Sequence, residues 1–455
     1  MKPARAHLLV LLAAAATAPG CEQVDQVQDH YRDLTPHEAY LASLSSAGLA
    51  ETALVRDWIG AGHAAVDAAP TVQLPFQEEG FIAPEEAGAM AYRVRVARGQ
   101  RLTGTVDVTT REGTRVFVDL FRVPDDDGDP LRPVLSADTV PGEFRYEPWR
   151  GGDFILRIQP ELLRGGQYRV TLRLEAQLAF PVGGQDERAV GSVWGQPRDG
   201  GRRSHEGVDI FASRGTPVLA TADGTVRSVR TTAIGGKVVW LRDEVRNASI
   251  YFAHLDSQAV VAGQRVRTGD TLGFVGNTGN ARFTPPHLHF GIYRRGEGAV
   301  DPLPFIRRPR GSLTELTADL DHLGSLVRMR DGGIRLRTAP GLRSDVLGEL
   351  ERHTLLRVMG GSGDWYRVRL PDGAMGYVAA RLTEPADLPL ETRVAYEGDR
   401  VMAAPDHRAP TVATLPQGAP LPVLGRFGGY DLVRTPEGRH GWMGAAEADT
   451  RDGTF

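Results

Sequence analysis

Four of the chain's twelve histidines fall between positions 205 and 289, inside three short motifs that could do metal chemistry. His205 and Asp209 stand in Ser204-His205-Glu206-Gly207-Val208-Asp209-Ile210. His254 stands in Tyr251-Phe252-Ala253-His254-Leu255, and His287 and His289 in Pro285-Pro286-His287-Leu288-His289-Phe290-Gly291-Ile292. Imidazole nitrogens with one aspartate oxygen are the ligand set that zinc takes in catalytic sites, where three protein ligands leave a fourth position open. Residues two apart on a strand point to one face, so His287 and His289 would share a cavity. One could then bind metal while the other moves protons. On a fully extended chain the Cα atoms of His205 and Asp209 would lie roughly 13 Å apart, too far to share an ion. The segment must bend, and a bend costs least at Gly207.

The elements that position these residues read as short strands. Val218-Leu219, Val238-Val239-Trp240-Leu241, Ser249-Ile250-Tyr251-Phe252 and Leu272-Gly273-Phe274-Val275 are apolar runs set off by glycines. No long helical period intervenes, so this region should be almost all β.

The three motifs, in this order, resemble those of the LytM/lysostaphin-type zinc metallopeptidases, which cut peptide cross-links of bacterial cell wall and share the duplicated-hybrid-motif fold. The resemblance extends over about residues 191–306, including Gly215-Thr216-Pro217-Val218, Ala222-Asp223-Gly224-Thr225-Val226 and the glycine-rich run from Gly269 to Gly279. It implies that His205, Asp209 and His289 bind Zn2+ and that His254 and His287 are catalytic. Which of the two is the base is left open; His287 is favoured because its neighbour two residues on holds the metal. The implied function is a zinc metalloendopeptidase that hydrolyses peptide cross-links in peptidoglycan stem peptides. The alternative is a non-catalytic LytM-type regulator that activates cell-wall amidases; such members have lost ligands, whereas all five residues stand here. Two departures bear on the substrate groove: Pro286 replaces the usual Gly before His-x-His, and Gly291 the frequent Glu after it. Glu206 reads as an exposed filler.

The rest of the 455 residues reads as a multidomain, mainly β chain. With 41% hydrophobic and 24% charged residues and a net charge of −4, nothing favours nucleic acid as a partner. Residues 1–20 have the charged start and short apolar run of a leader. They end at Cys21, the only cysteine, in a sequence that resembles a lipobox. This implies a lipid on Cys21 as membrane anchor and a place in the cell envelope, at the outer membrane facing the periplasm. Residues 21–70 should form a helical spacer, with a capping box at Thr35-Pro36-His37-Glu38. His30, His37 and His63 read as surface residues. Over 71–182 the pattern turns to period two: Tyr92, Val94 and Val96, then Val116, Val118 and Leu120, then Tyr168, Val170, Leu172 and Leu174. That predicts a β-sandwich. Asp125-Asp126-Asp127-Gly128-Asp129 fails as an EF-hand, since Pro130 and Ser136 would fill its sixth and twelfth positions. The peptidase-like domain is expected over 188–310. Beyond it, Pro340 and Pro405, Gly373 and Gly438, and Gly376 and Gly441 repeat at one constant offset, which predicts two copies of one small barrel, at 326–385 and 390–448. The first copy, with Asp364-Trp365-Tyr366-Arg367-Val368 and Gly376-Tyr377-Val378, resembles bacterial SH3-like domains. Trp365 and Trp442 are open to both ligand stacking and core packing, and the pair would concentrate the chain on the wall as tethered modules do.

Overall fold

The computed structural model describes residues 34–445 apart from 111–112, 127 and 139–141. The leader and Cys21 lie outside the described residues. Among those described, no helix is long and apolar enough to cross a membrane. They form two compact units, one ending at Ala50 and one beginning at Glu51.

In the first unit the helix Pro36–Ser46 is closed by the expected capping box. Glu38 N–H donates to Thr35 Oγ1 (3.2 Å), and Thr35 N–H donates to Glu38 Oε2 (2.8 Å). His37 is buried rather than exposed. In the second unit the helix Ala53–Asp67 is docked, not a free spacer. Its Trp58 is 2% exposed, donates from Nε1 to Pro160 O at 2.8 Å, and accepts at its own carbonyl from Gln159 Nε2.

The period-two runs become strands of two stacked sheets. One holds Met90–Val96, Gly152–Pro160, Val116–Arg122 and Arg132–Ala137; the other runs Phe76–Ile82, Gly166–Ala176, Gln100–Thr109, Gly142–Tyr146. Their inward residues make one core: Tyr92, Val94, Val118 and Leu120 from the first meet Val106, Tyr168, Val170 and Leu172 from the second. Alternation is clean in Phe76–Ile82 and in most of Gly166–Ala176, which bury one face, whereas Val116–Arg122 and Gly152–Pro160 are buried on both, the outer side closing on Val66, Ala91, Phe121 and Ile155.

A separate eight-stranded sheet carries the histidine motifs. Its central order is Gly224–Thr232, Gly236–Asp243, Ala248–Leu255, His287–Arg294, Val208–Phe211, with antiparallel pairing throughout these five. Its core is built on Val208, Ile210, Val239, Ile250, Phe252 and Phe290, all fully buried.

The C-terminal repeat is a repeat of strands. Leu355–Ser362 answers to Pro420–Phe427, Trp365–Arg369 to Tyr430–Arg434, and Met375–Ala379 to His440–Gly444, each pair 65 positions apart. Trp442 is 6% exposed and packs with Leu355, Leu424 and Leu432, so it serves the contact between the barrels. The first barrel is also continuous with the sandwich. Leu355–Ser362 pairs with Phe76–Ile82 through Glu79↔Gly361 and Gly80↔Gly360, making one eleven-stranded sheet. At this seam Glu78 is fully buried. Its Oε1 accepts from the Tyr92 and Tyr168 hydroxyls at 2.6 and 2.7 Å, and its Oε2 from Tyr377 at 2.7 Å. Arg367 Nη1, from the barrel, lies 3.4 Å from Oε1. Burial, and then the Glu78 charge, hold all three tyrosines well above their ordinary value, so they stay protonated donors.

Candidate metal centre

Cross-strand pairing creates the site. Asp209 on Val208–Phe211 lies directly opposite His289 on His287–Arg294, and residues facing across an antiparallel pair put their side chains on one face. His205, just before that strand, is brought back onto the same face. Gly207 sits at the bend, and its role is close approach. A Cβ there would lie 2.6 Å from the Phe290 carbonyl oxygen and 2.7 Å from His289 Cε1.

The three side chains converge to a triangle. His205 Nε2, Asp209 Oδ1 and His289 Nδ1 stand 3.0 Å from one another along each edge. They are the His/Asp group able to hold a metal ion among the described residues. His205 Nδ1 lies 2.9 Å from the Val193 carbonyl, which only accepts, so this nitrogen carries the proton and Nε2 offers its lone pair. Three acceptor-capable atoms so close suit a shared cation, with bonds of about 2.0–2.2 Å to nitrogen and oxygen for zinc. Burial pushes the Asp209 carboxyl up, but its close contacts with the polar His205 and His289 rings outweigh burial and hold the group far below the usual carboxylate range.

His287 obeys the strand period and stands on the same face as His289. Its Nδ1 donates to the Pro285 carbonyl at 2.8 Å, so the first proline of the unusual pair orients this ring. His254 does not follow from alternation. Ala253 is the residue opposite His289, which assigns its successor to the other face. Two departures re-aim it. The register between Gly236–Asp243 and Ala248–Leu255 slips just there, as at a β-bulge. His254 itself is left-handed, with φ +61°, a conformation that costs a non-glycine residue about 1 kcal/mol or more. Its ring then sits 5.1 Å from that of His287 and 6.0 Å from that of His289, centroid to centroid. Nδ1 donates to the Thr278 carbonyl at 2.9 Å. Burial lowers its pKa to about 4, so the imidazole is neutral near neutral pH.

All five side chains border one cleft of ≈ 970 Å³. One wall is aromatic: Trp240 packs against Tyr251 at 4.5 Å and against Tyr293 at 5.2 Å. Glu206 is exposed, as expected, but it also lines the cleft and pairs with the Tyr293 hydroxyl. The motifs gave no sign of Arg198, which ends the short strand Pro197–Arg198 ahead of a glycine-rich turn and grips Asp209 Oδ2 at 2.6 Å, nor of Ser192 beside it.

Two stretches of the chain match known families. Residues 203–302 match the model of Peptidase family M23, and residues 332–384 that of the bacterial SH3 domain. An L-Ala--D-Glu endopeptidase of Bacillus subtilis is 40% identical over 140 residues, covering 28% of this chain and 43% of that protein. The peptidoglycan DD-endopeptidase ShyC of Vibrio cholerae is 37% identical over 94 residues, 21% of each chain. The catalytic domain of lysostaphin from Staphylococcus simulans, 32% identical, covers 25% of this chain and 89% of its own, with a TM-score of 0.24. The chain thus spans less than half the length of these two curated relatives. It carries a LytM-type Peptidase family M23 domain and a bacterial SH3 domain, and both curated relatives are named endopeptidases.

Proposed function

We propose that the chain is a zinc-dependent endopeptidase that hydrolyses peptide bonds of bacterial peptidoglycan, acting on stem peptides in the cell envelope. One observation carries the reading: three converging ligand atoms and two further oriented histidines border a single cleft. His205, Asp209 and His289 would hold the ion, and zinc there would supply Lewis-acid polarisation of a carbonyl and activation of water.

The chain's own groups do the rest. Because carbonyls of Thr278 and Pro285 take the Nδ1 protons of His254 and His287, the free ring nitrogen of each is Nε2. A proton from the attacking water is accepted at that atom and handed to the leaving nitrogen. His287 keeps its place as the favoured base, since it shares a strand face with the ligand His289. The aromatic wall of Trp240, Tyr251 and Tyr293 flanks an extended peptide and excludes water from one side. A regulator that works without catalysis needs none of this set, and all five side chains are in place. The relatives' names point to different bonds, L-Ala–D-Glu and DD, so the bond is read by experiment.

The test is a muropeptide profile. The chain is incubated with diaminopimelate-type sacculi, with and without chelator, and the products are read by mass spectrometry. Loss of particular peptide bonds, abolished by chelator and restored by zinc, is expected. An unchanged profile from zinc-loaded protein would sink the peptidoglycan assignment; protein that takes up no zinc would revive the regulator.

A further inference from the structure

Asp209 has two oxygens, and the structure treats them differently. Oδ1 faces His205 Nε2 and His289 Nδ1 at 3.0 Å. Oδ2 instead accepts from Arg198 Nη2 at 2.6 Å. The same Nη2 donates to Ser192 Oγ at 2.6 Å. Ser192 Oγ in turn donates to Gln196 Oε1 at 2.7 Å and lies 3.3 Å from His205 Nδ1. One guanidinium therefore touches, directly or through a single hydroxyl, two of the three arms of the metal centre. It comes from the strand Pro197–Arg198, paired to Arg203–Ser204 immediately before His205, so the hairpin that delivers the first ligand also delivers the group that orients the second.

We propose that Arg198 is the positioning residue of the metal centre, holding Asp209 to ligation through Oδ1 alone. This rests on the metal-centre reading above. A carboxylate can turn about its Cβ–Cγ bond or offer both oxygens to one cation. Arg198 removes that freedom, because a short charge-assisted bond ties up Oδ2 and a guanidinium does not lose its proton in a protein. Asp209 would then serve a bound ion as a one-oxygen ligand of fixed orientation. The Arg198 side chain is 35% exposed and borders the cleft, so it is not simply a core contact.

The experiment compares the full chain with Arg198→Gln and Arg198→Lys. Zinc affinity is measured by chelator competition, and thermal unfolding is recorded on metal-free protein. Arg198→Gln should weaken zinc binding by about 10–100-fold, the usual range for groups that orient a metal ligand, while the metal-free unfolding midpoint stays at the wild-type value. Arg198→Lys keeps the charge and one donor and should recover part of the affinity. Wild-type affinity in Arg198→Gln overturns the proposal. So does a loss of affinity matched by a lowered metal-free midpoint, which would make Arg198 a fold residue. Wild-type protein that binds no zinc fails at an earlier step, the metal-centre reading itself.

Discussion

Removing one corner of the ligand triangle and removing a neighbouring histidine should have separable consequences. His205→Ala, Asp209→Ala and His289→Ala each delete a donor 3.0 Å from both others, and the two that remain should hold zinc poorly. Purified variants are expected to contain little zinc and to leave sacculi uncut. His254→Ala and His287→Ala leave the triangle intact. They should retain zinc and lose about 10²–10⁴-fold in turnover, the range for a positioned acid–base group. Metal analysis alongside turnover on one muropeptide decides the matter: loss of zinc from His287→Ala would place that residue among the ligands. The types and spacing of all five residues were legible in the sequence, because His-x-His on a strand states its own geometry. The orientation of His254 was not. It depends on a bulge and a left-handed residue, and no local pattern distinguishes Phe252-Ala253-His254 from a regular strand.

At the scale of the element, the turn before Val208–Phe211 is set by a contact that the sequence gives only half of. Gly207 reads as a flexible bend, whereas its requirement is space against His289 and the Phe290 carbonyl. A methyl group at Gly207 would sit 2.6 Å from the Phe290 carbonyl oxygen and 2.7 Å from the His289 ring, so strand backbone and ring must both give. Gly207→Ala is expected to fold with a stability loss of about 1–3 kcal/mol, as for overpacking in a core, and to bind zinc more weakly through the displaced ring. Unfolding and zinc affinity measured together test this. A variant that is destabilised yet binds zinc like wild type would show that the strand shifts and spares the ligand. The same limit applies to Arg198. Its partner Asp209 is eleven positions away across a hairpin, and pairing of that kind becomes visible only once the register is known.

The repeat at the C-terminus was readable from constant spacing, but its relation to the sandwich was not, since the Tyr377–Glu78 bond joins residues 299 positions apart. That relation changes what the first barrel does. A tethered targeting module raises local substrate concentration and leaves intrinsic chemistry alone. Here the barrel supplies Leu355–Ser362 as the neighbour of Phe76–Ile82, two donors to a buried carboxylate, and Met359 to the sandwich core. Deleting residues 326–455 would therefore open a sheet edge, itself a liability, and strip Glu78 of its cation. Breaking a buried ion pair from one side costs about 3–5 kcal/mol, because the surviving charge stays buried. Glu78→Ala, which strands Arg367 in the same way, should approach that loss, and pairing it with Arg367→Met should restore part of it. The truncated chain is thus expected to unfold at lower temperature and to turn over a small soluble muropeptide less well, although that substrate needs no targeting. If the truncation left soluble-substrate turnover and the unfolding midpoint unchanged while sacculus binding fell, the barrel would be a targeting module after all. Loss of turnover and of the unfolding midpoint together would instead mark the first barrel as part of the body of the molecule.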